Sequence, residues 1–62
     1  KLTSKEKELL QLMVDGGSYK MIADKMNISF ETVKTHVKNI YKKLHVNSSS
    51  EAVAKAIKQR LV

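Results

Sequence analysis

Cysteine and proline are both absent from this 62-residue chain, and glycine occurs only twice. Without cysteine, neither a disulfide nor a thiolate-bound metal can support the fold. Without proline, and with so little glycine, the chain suits an all-helical domain. The aromatic residues are Tyr19, Phe30 and Tyr41. That is too few for the stacking platform that single-stranded nucleic acid requires. No apolar run approaches the roughly 18 residues of a membrane span, and no signal-peptide pattern is visible. The chain reads as cytosolic. It starts on Lys1 rather than methionine, which reads as a fragment cut from a longer protein.

Acidic residues are also scarce, six against 12 Lys and Arg, for a net charge of +6. A basic excess on a small domain favours polyanions: DNA, RNA or anionic lipid. Residues 1–62 suffice for a single domain and no more. A domain of this size buries only about 60% of the surface its unfolded chain exposes, so its stability is marginal and rests on helix packing.

The periodicity predicts four helices, at about 4–15, 19–26, 30–44 and 51–60. The first opens on Thr3 with Glu6 three residues later, the pattern of a capping box. Leu9, Leu10 and Met13 share its inner face, and Gly16-Gly17 end it. Ser18 caps the second helix, whose apolar positions are Ile22, Ala23 and Met26. Asn27 tolerates a left-handed backbone nearly as well as glycine does. The apolar Ile28 in the following turn is expected to plug the core. Ser29 caps the third helix, with Val33, Val37, Ile40 and Leu44 inward. Ser50 or Glu51 opens the fourth, whose apolar band takes in Ala52, Val53, Ala56, Ile57 and Leu61.

A short helix, a tight turn and a longer helix with a cationic outer face make the layout of a helix-turn-helix, whose second helix reads DNA in the major groove. Lys34, Thr35 and Lys38 occupy the outward face in the N-terminal half of the third helix. That half reaches base edges in this motif. Lysine can donate to the O6 and N7 acceptors of guanine, and a threonine methyl can pack on the thymine methyl. Ser18 and Lys20 at the start of the second helix, Thr32 in the first turn of the third, and Lys42 farther along are candidate phosphate contacts. The bland alternative is a merely solvated lysine face. The turn, the caps and the short preceding helix weigh against it.

Glu6 shares the apolar face of the first helix, and a carboxylate on a buried stripe needs a partner. Lys43, swung toward the core edge by the helical period, is the expected cation, ahead of His36. Backbone capping is the competing role for Glu6. His36 and His45, nine residues apart, make no metal site. His36 is expected at the rim of the third helix, and His45 in the turn that ends it. No nucleophile–base pattern and no phosphate-cradling glycine loop points to an enzyme, and no cofactor is implied. The fourth helix has more apolar surface than one docking face needs. Its spare edge, around Ala52, Lys55, Ala56 and Gln59, is a candidate dimer contact.

Taken together, Leu2-Thr3, Glu6, Leu9, Gly16, Lys20, Ile22-Ala23, Ile28-Ser29, Thr32-Val33-Lys34-Thr35-His36, Ile40, Lys43-Leu44, Val46 and Glu51-Ala52-Val53 resemble the LuxR/FixJ/NarL-type DNA-binding effector domain of bacterial transcription regulators. The resemblance spans nearly the whole chain. It implies a four-helix domain from the C-terminal part of a regulator, such as a two-component response regulator. The second and third helices would bind the major groove, and the fourth would assist dimerisation. By position it puts Lys34, Thr35 and Lys38 near bases, and Lys20 and Thr32 near phosphates. Double-stranded DNA, a second copy of the chain and RNA polymerase are the partners it admits. The chain departs from the family pattern at His45, where the family often has glycine, at Ser49, where it often has arginine, and at Met21, where a polar residue is usual. Met21 would add an apolar contact to the second helix. Region 4 of sigma factors is a related alternative. A basic helical module that docks an acidic protein is an alternative of another class.

Overall fold

The computed structural model describes residues 1–61 and contains four α-helices: α1 (Ser4–Val14), α2 (Tyr19–Met26), α3 (Phe30–Leu44) and α4 (Ser49–Lys58). Each begins on a hydroxyl cap. Thr3, Ser18, Ser29 and Ser48 accept the backbone N–H of Glu6, Met21, Thr32 and Glu51 respectively. Such a cap satisfies one of the free donors of the first turn and is worth about 1 kcal/mol. In α1 the box closes, because Thr3 N–H donates to Glu6 Oε1 at 2.9 Å. In α4 the Glu51 carboxylate instead accepts from Asn47 N–H at 2.7 Å.

The helix ends repeat one device as well. Gly16, Asn27, His45 and Arg60 take left-handed backbone conformations, with φ of 90°, 57°, 58° and 53°. The residue after each sends its N–H back to a carbonyl of the last turn: Gly17 to Leu12, Ile28 to Ala23, Val46 to Tyr41 and Leu61 to Ala56, all within 3.0 Å. This closure stops a helix and satisfies its orphan carbonyls. Three of the closing residues are apolar, and Ile28, Val46 and Leu61 all pack against the core. Ile28 thus plugs the core from the turn, as its apolar character required.

Two boundaries differ from the sequence reading. Helix α4 opens at Ser49 rather than at Ser50 or Glu51, with Ser48 as its cap and the Glu51 carboxylate folded back over it. The helix therefore starts earlier than expected and ends at Lys58, leaving Leu61 to pack from beyond it. Asp15 lies outside α1 as its C-cap.

Leu9, Leu10 and Met13 of α1, Ile22, Ala23 and Met26 of α2, Val33, Val37, Ile40 and Leu44 of α3, and Ala52 and Ala56 of α4 form one buried core. Helix α1 packs on each of the other three, and α3 packs on α2 and α4. Burying a Leu, Ile or Val side chain contributes roughly 1.5–3 kcal/mol. Leu9, Leu10, Ile22, Ile40 and Val33 are the largest side chains buried completely. Glu6 is the one buried charged residue among those described, 4% exposed.

Candidate nucleic-acid interface

Helices α2 and α3 are joined by Asn27-Ile28-Ser29. The left-handed Asn27 reverses the chain, and Ser29 caps the next helix at once. With Val33, Val37, Ile40 and Leu44 fixed inward, the opposite side of α3 must face solvent. Lys34, Thr35, Lys38 and Lys42 are all exposed there. Ser18 and Lys20 are exposed at the start of α2. Thr32 is half-buried, and its hydroxyl lies 2.8 Å from that of Ser29.

The individual side chains are not equivalent. Thr35 Oγ1 donates to the Glu31 carbonyl at 3.2 Å, so its methyl is the group left free. Lys34 Nζ lies 4.0 Å from Glu31 Oε1 and 5.7 Å from the centroid of the Phe30 ring. The ion pair is exposed and worth little in water. Ser18 Oγ accepts Met21 N–H and keeps its own proton to donate. The first turn of α3 presents the positive end of the helix dipole, which favours an anion nearby.

Sequence reasoning missed the aromatic residues of this surface. The Tyr19 and Phe30 rings stand 6.1 Å apart at 53°. Tyr19, Lys34, Val37, Lys38 and Tyr41 line one shallow groove. Burial and the neighbouring Tyr41 phenol push the Tyr19 hydroxyl up to about 12, so it stays protonated at neutral pH. Phe30 is 48% exposed at the first position of α3. The available signal was its spacing, since residues four apart share a helical face and Phe30 precedes Lys34 by that interval.

The proposed dimer edge of α4 is corrected by burial. Ala52 and Ala56 are completely buried, and Lys55 Nζ donates to the Leu44 carbonyl at the end of α3. Of that set only Gln59, the C-cap of α4, is exposed. Alanines face α1 and α3 because small side chains let helices approach closely. The spare apolar surface lies on the other edge, where Ala54 and Ile57 are exposed and Val53 is half-buried. Met21 is 52% exposed and adds nothing to the core. His36 is half-buried at the rim of α3, as its position required.

Among the described residues, no helix is long and apolar enough to cross a membrane. The family profile of bacterial regulatory proteins, luxR family, matches residues 1–56. The transcriptional regulatory protein DegU of Brevibacillus brevis is 51% identical over 57 residues, covering 92% of this chain and 24% of DegU. A probable transcriptional regulatory protein NarL of Mycobacterium tuberculosis is 41% identical over 61 residues, covering 98% of this chain and 28% of that protein. Among solved structures, the response regulator ChrA of a heme-sensing two-component system superposes over 100% of this chain and 31% of its own, with a TM-score of 0.96 and 42% identity. The transcription factor GerE superposes over 97% of this chain and 90% of its own, with a TM-score of 0.88 and 35% identity. The chain thus spans about a quarter of the length of the DegU and NarL relatives. Its caps, its turn and the exposed cationic side of α3 agree with these matches: the chain belongs to the luxR family of bacterial regulatory proteins and is a helix-turn-helix DNA-binding domain of that family.

Proposed function

We propose that this domain binds double-stranded DNA sequence-specifically with α3 in the major groove. Lys34, Thr35 and Lys38 face bases in this reading, whereas Ser18, Lys20, Thr32 and Lys42 face phosphates. The observation that carries it is the pairing of an exposed cationic side of α3 with an exposed Ser18 and Lys20 at the start of α2. Phosphate contacts fix register, and base contacts specify sequence. The chemistry needs no bond-making step and no cofactor, only hydrogen bonds, apolar contact with thymine methyls and counterion release.

The whole protein is, in this reading, a two-component response regulator or a similar sensor-regulator acting in the bacterial cytoplasm, with this domain as its output. Two copies read half-sites about one helical turn, ~10 base pairs, apart. The exposed Ile57, beside Val53 and Ala54, supports the outer edge of α4 as the contact between copies. RNA polymerase is a further partner for a regulator that activates transcription.

Selection of duplexes from a random pool, followed by titration of the winner at several salt concentrations, tests the proposal. The expected result is a consensus motif and an affinity that falls steeply with salt. Retention of all duplexes alike, with no motif, would leave only a generic basic surface and favour an acidic protein partner.

A further inference from the structure

We propose that Phe30 is a specificity-determining residue that acts by positioning Lys34; the inference rests on the DNA-binding reading above. Phe30 is a large apolar side chain held half in water at the first position of α3. It contributes little to the core, and among the described residues the other large exposed apolar side chains are Met21 and Ile57. Its ring is braced by Tyr19, the first residue of α2, at 6.1 Å. The Lys34 ammonium sits 5.7 Å from its centroid. That lies within the range at which the ring quadrupole attracts a cation.

A free lysine side chain samples many rotamers, and ordering it on binding costs entropy. Here the ammonium is drawn toward the first turn of α3 from two sides, by the Phe30 ring and by Glu31 Oε1 at 4.0 Å. That turn belongs to the part of a recognition helix that meets base edges. Phe30 therefore restricts Lys34 to one approach toward the acceptor atoms of a single base, and the Tyr19 ring keeps Phe30 in place. Glu31 is too exposed to hold the lysine by itself, with a side chain 82% accessible.

The test compares wild type, Phe30→Tyr, Phe30→Leu, Lys34→Ala and Phe30→Leu/Lys34→Ala on the selected duplex and on its single-base variants. Tyrosine keeps the aromatic face, whereas leucine keeps only apolar bulk. Phe30→Tyr is expected to retain the wild-type preferences. Phe30→Leu is expected to lose about two- to fivefold in preference at the base that Lys34 governs, as an exposed cation–π contact allows, and little elsewhere. In the Lys34→Ala background, Phe30→Leu is expected to change nothing further. In the free domain, the Lys34 side-chain protons should show an aromatic ring-current shift that Phe30→Leu abolishes and Phe30→Tyr retains. Unchanged base preference in Phe30→Leu would overturn the proposal. So would an equal loss with Lys34 absent, since Phe30 would then touch DNA directly. If wild type itself selects no motif, the DNA-recognition reading fails first, and the ring-current shift alone reports whether Phe30 holds Lys34.

Discussion

Lys43 Nζ donates a 2.8 Å hydrogen bond to Glu6 Oε1, the same oxygen that accepts the Thr3 N–H at 2.9 Å. One carboxylate thus closes the first turn of α1 and ties it to the last turn of α3, 37 residues away. Capping and ion pairing, which the sequence set against each other, are two uses of one group. Burial opposes the charge on Glu6. The bonds from Lys43 and Thr3 outweigh it and hold the carboxyl below its ordinary value of 4.5.

Glu6→Gln is therefore expected to destabilise the domain by about 1.5–3 kcal/mol, the loss typical of a hydrogen bond to a charged group. A folded pKa below the unfolded one means that the contribution is complete above pH 4.5 and is lost as pH falls through the folded value. Urea melts at neutral pH and at successively lower pH check both points. The gap between wild type and Glu6→Gln should close on acidification. A constant gap would assign Glu6 a purely uncharged role.

His45 holds φ at 58° without being glycine. A side chain in that region costs roughly 1–2 kcal/mol, somewhat less for residues that bond locally. His45→Gly is expected to raise stability by up to about 1 kcal/mol, the gain being limited by the added freedom of the unfolded chain. Thermal melts of the variant, with DNA affinity measured alongside, give the answer. A lower Tm would show that the imidazole makes a stabilising contact.

Lys34 and Lys42 lie on the same side of α3 but are assigned different work. Lys34→Ala should cost about 1–3 kcal/mol on the preferred duplex and relax one base position. Lys42→Ala should weaken all duplexes alike and lower the salt slope by about 1. Binding isotherms on matched and mismatched duplexes at several salt concentrations separate the two. Uniform loss for Lys34→Ala would make it a phosphate contact.

The two edges of α4 should respond oppositely to substitution. Ala56→Leu overfills the core and is expected to cost about 1–3 kcal/mol in stability. Ile57→Lys alters an exposed side chain and should leave stability within about 0.5 kcal/mol. It should nevertheless weaken cooperative occupancy of paired half-sites. Chemical melts and band-shift titrations on one-site and two-site duplexes read these effects. Full cooperativity in Ile57→Lys would remove this edge as the contact between copies.

The bounds of α2 and α3 were legible in the sequence because their signals are local. Ser18 and Ser29 supply caps, and Asn27 supplies the left-handed stop. The outer face of α3 followed from the inward stripe of Val33, Val37, Ile40 and Leu44. The start of α4 was less clear, because Ser48, Ser49 and Ser50 all carry a cap-forming hydroxyl; Ser48 takes the Glu51 N–H, and the Glu51 carboxylate reaches back to the Asn47 N–H. Its inner side was ambiguous, since Ala52 with Ala56 and Val53 with Ile57 have the same spacing. Close packing against α1 and α3 selects the alanines. The group formed by Tyr19, Phe30 and Tyr41 was not legible, because it depends on how α2 packs across α3.

The central claim is that α3 docks in the major groove while the start of α2 meets the backbone. Amide NMR shifts of the labelled domain, followed while adding a duplex of about 20 base pairs, two helical turns, test it most directly. Groove docking by α3 predicts salt-sensitive shifts concentrated at residues 18–20 and 29–42. Shifts spread over all lysines, or confined to α4, would contradict it.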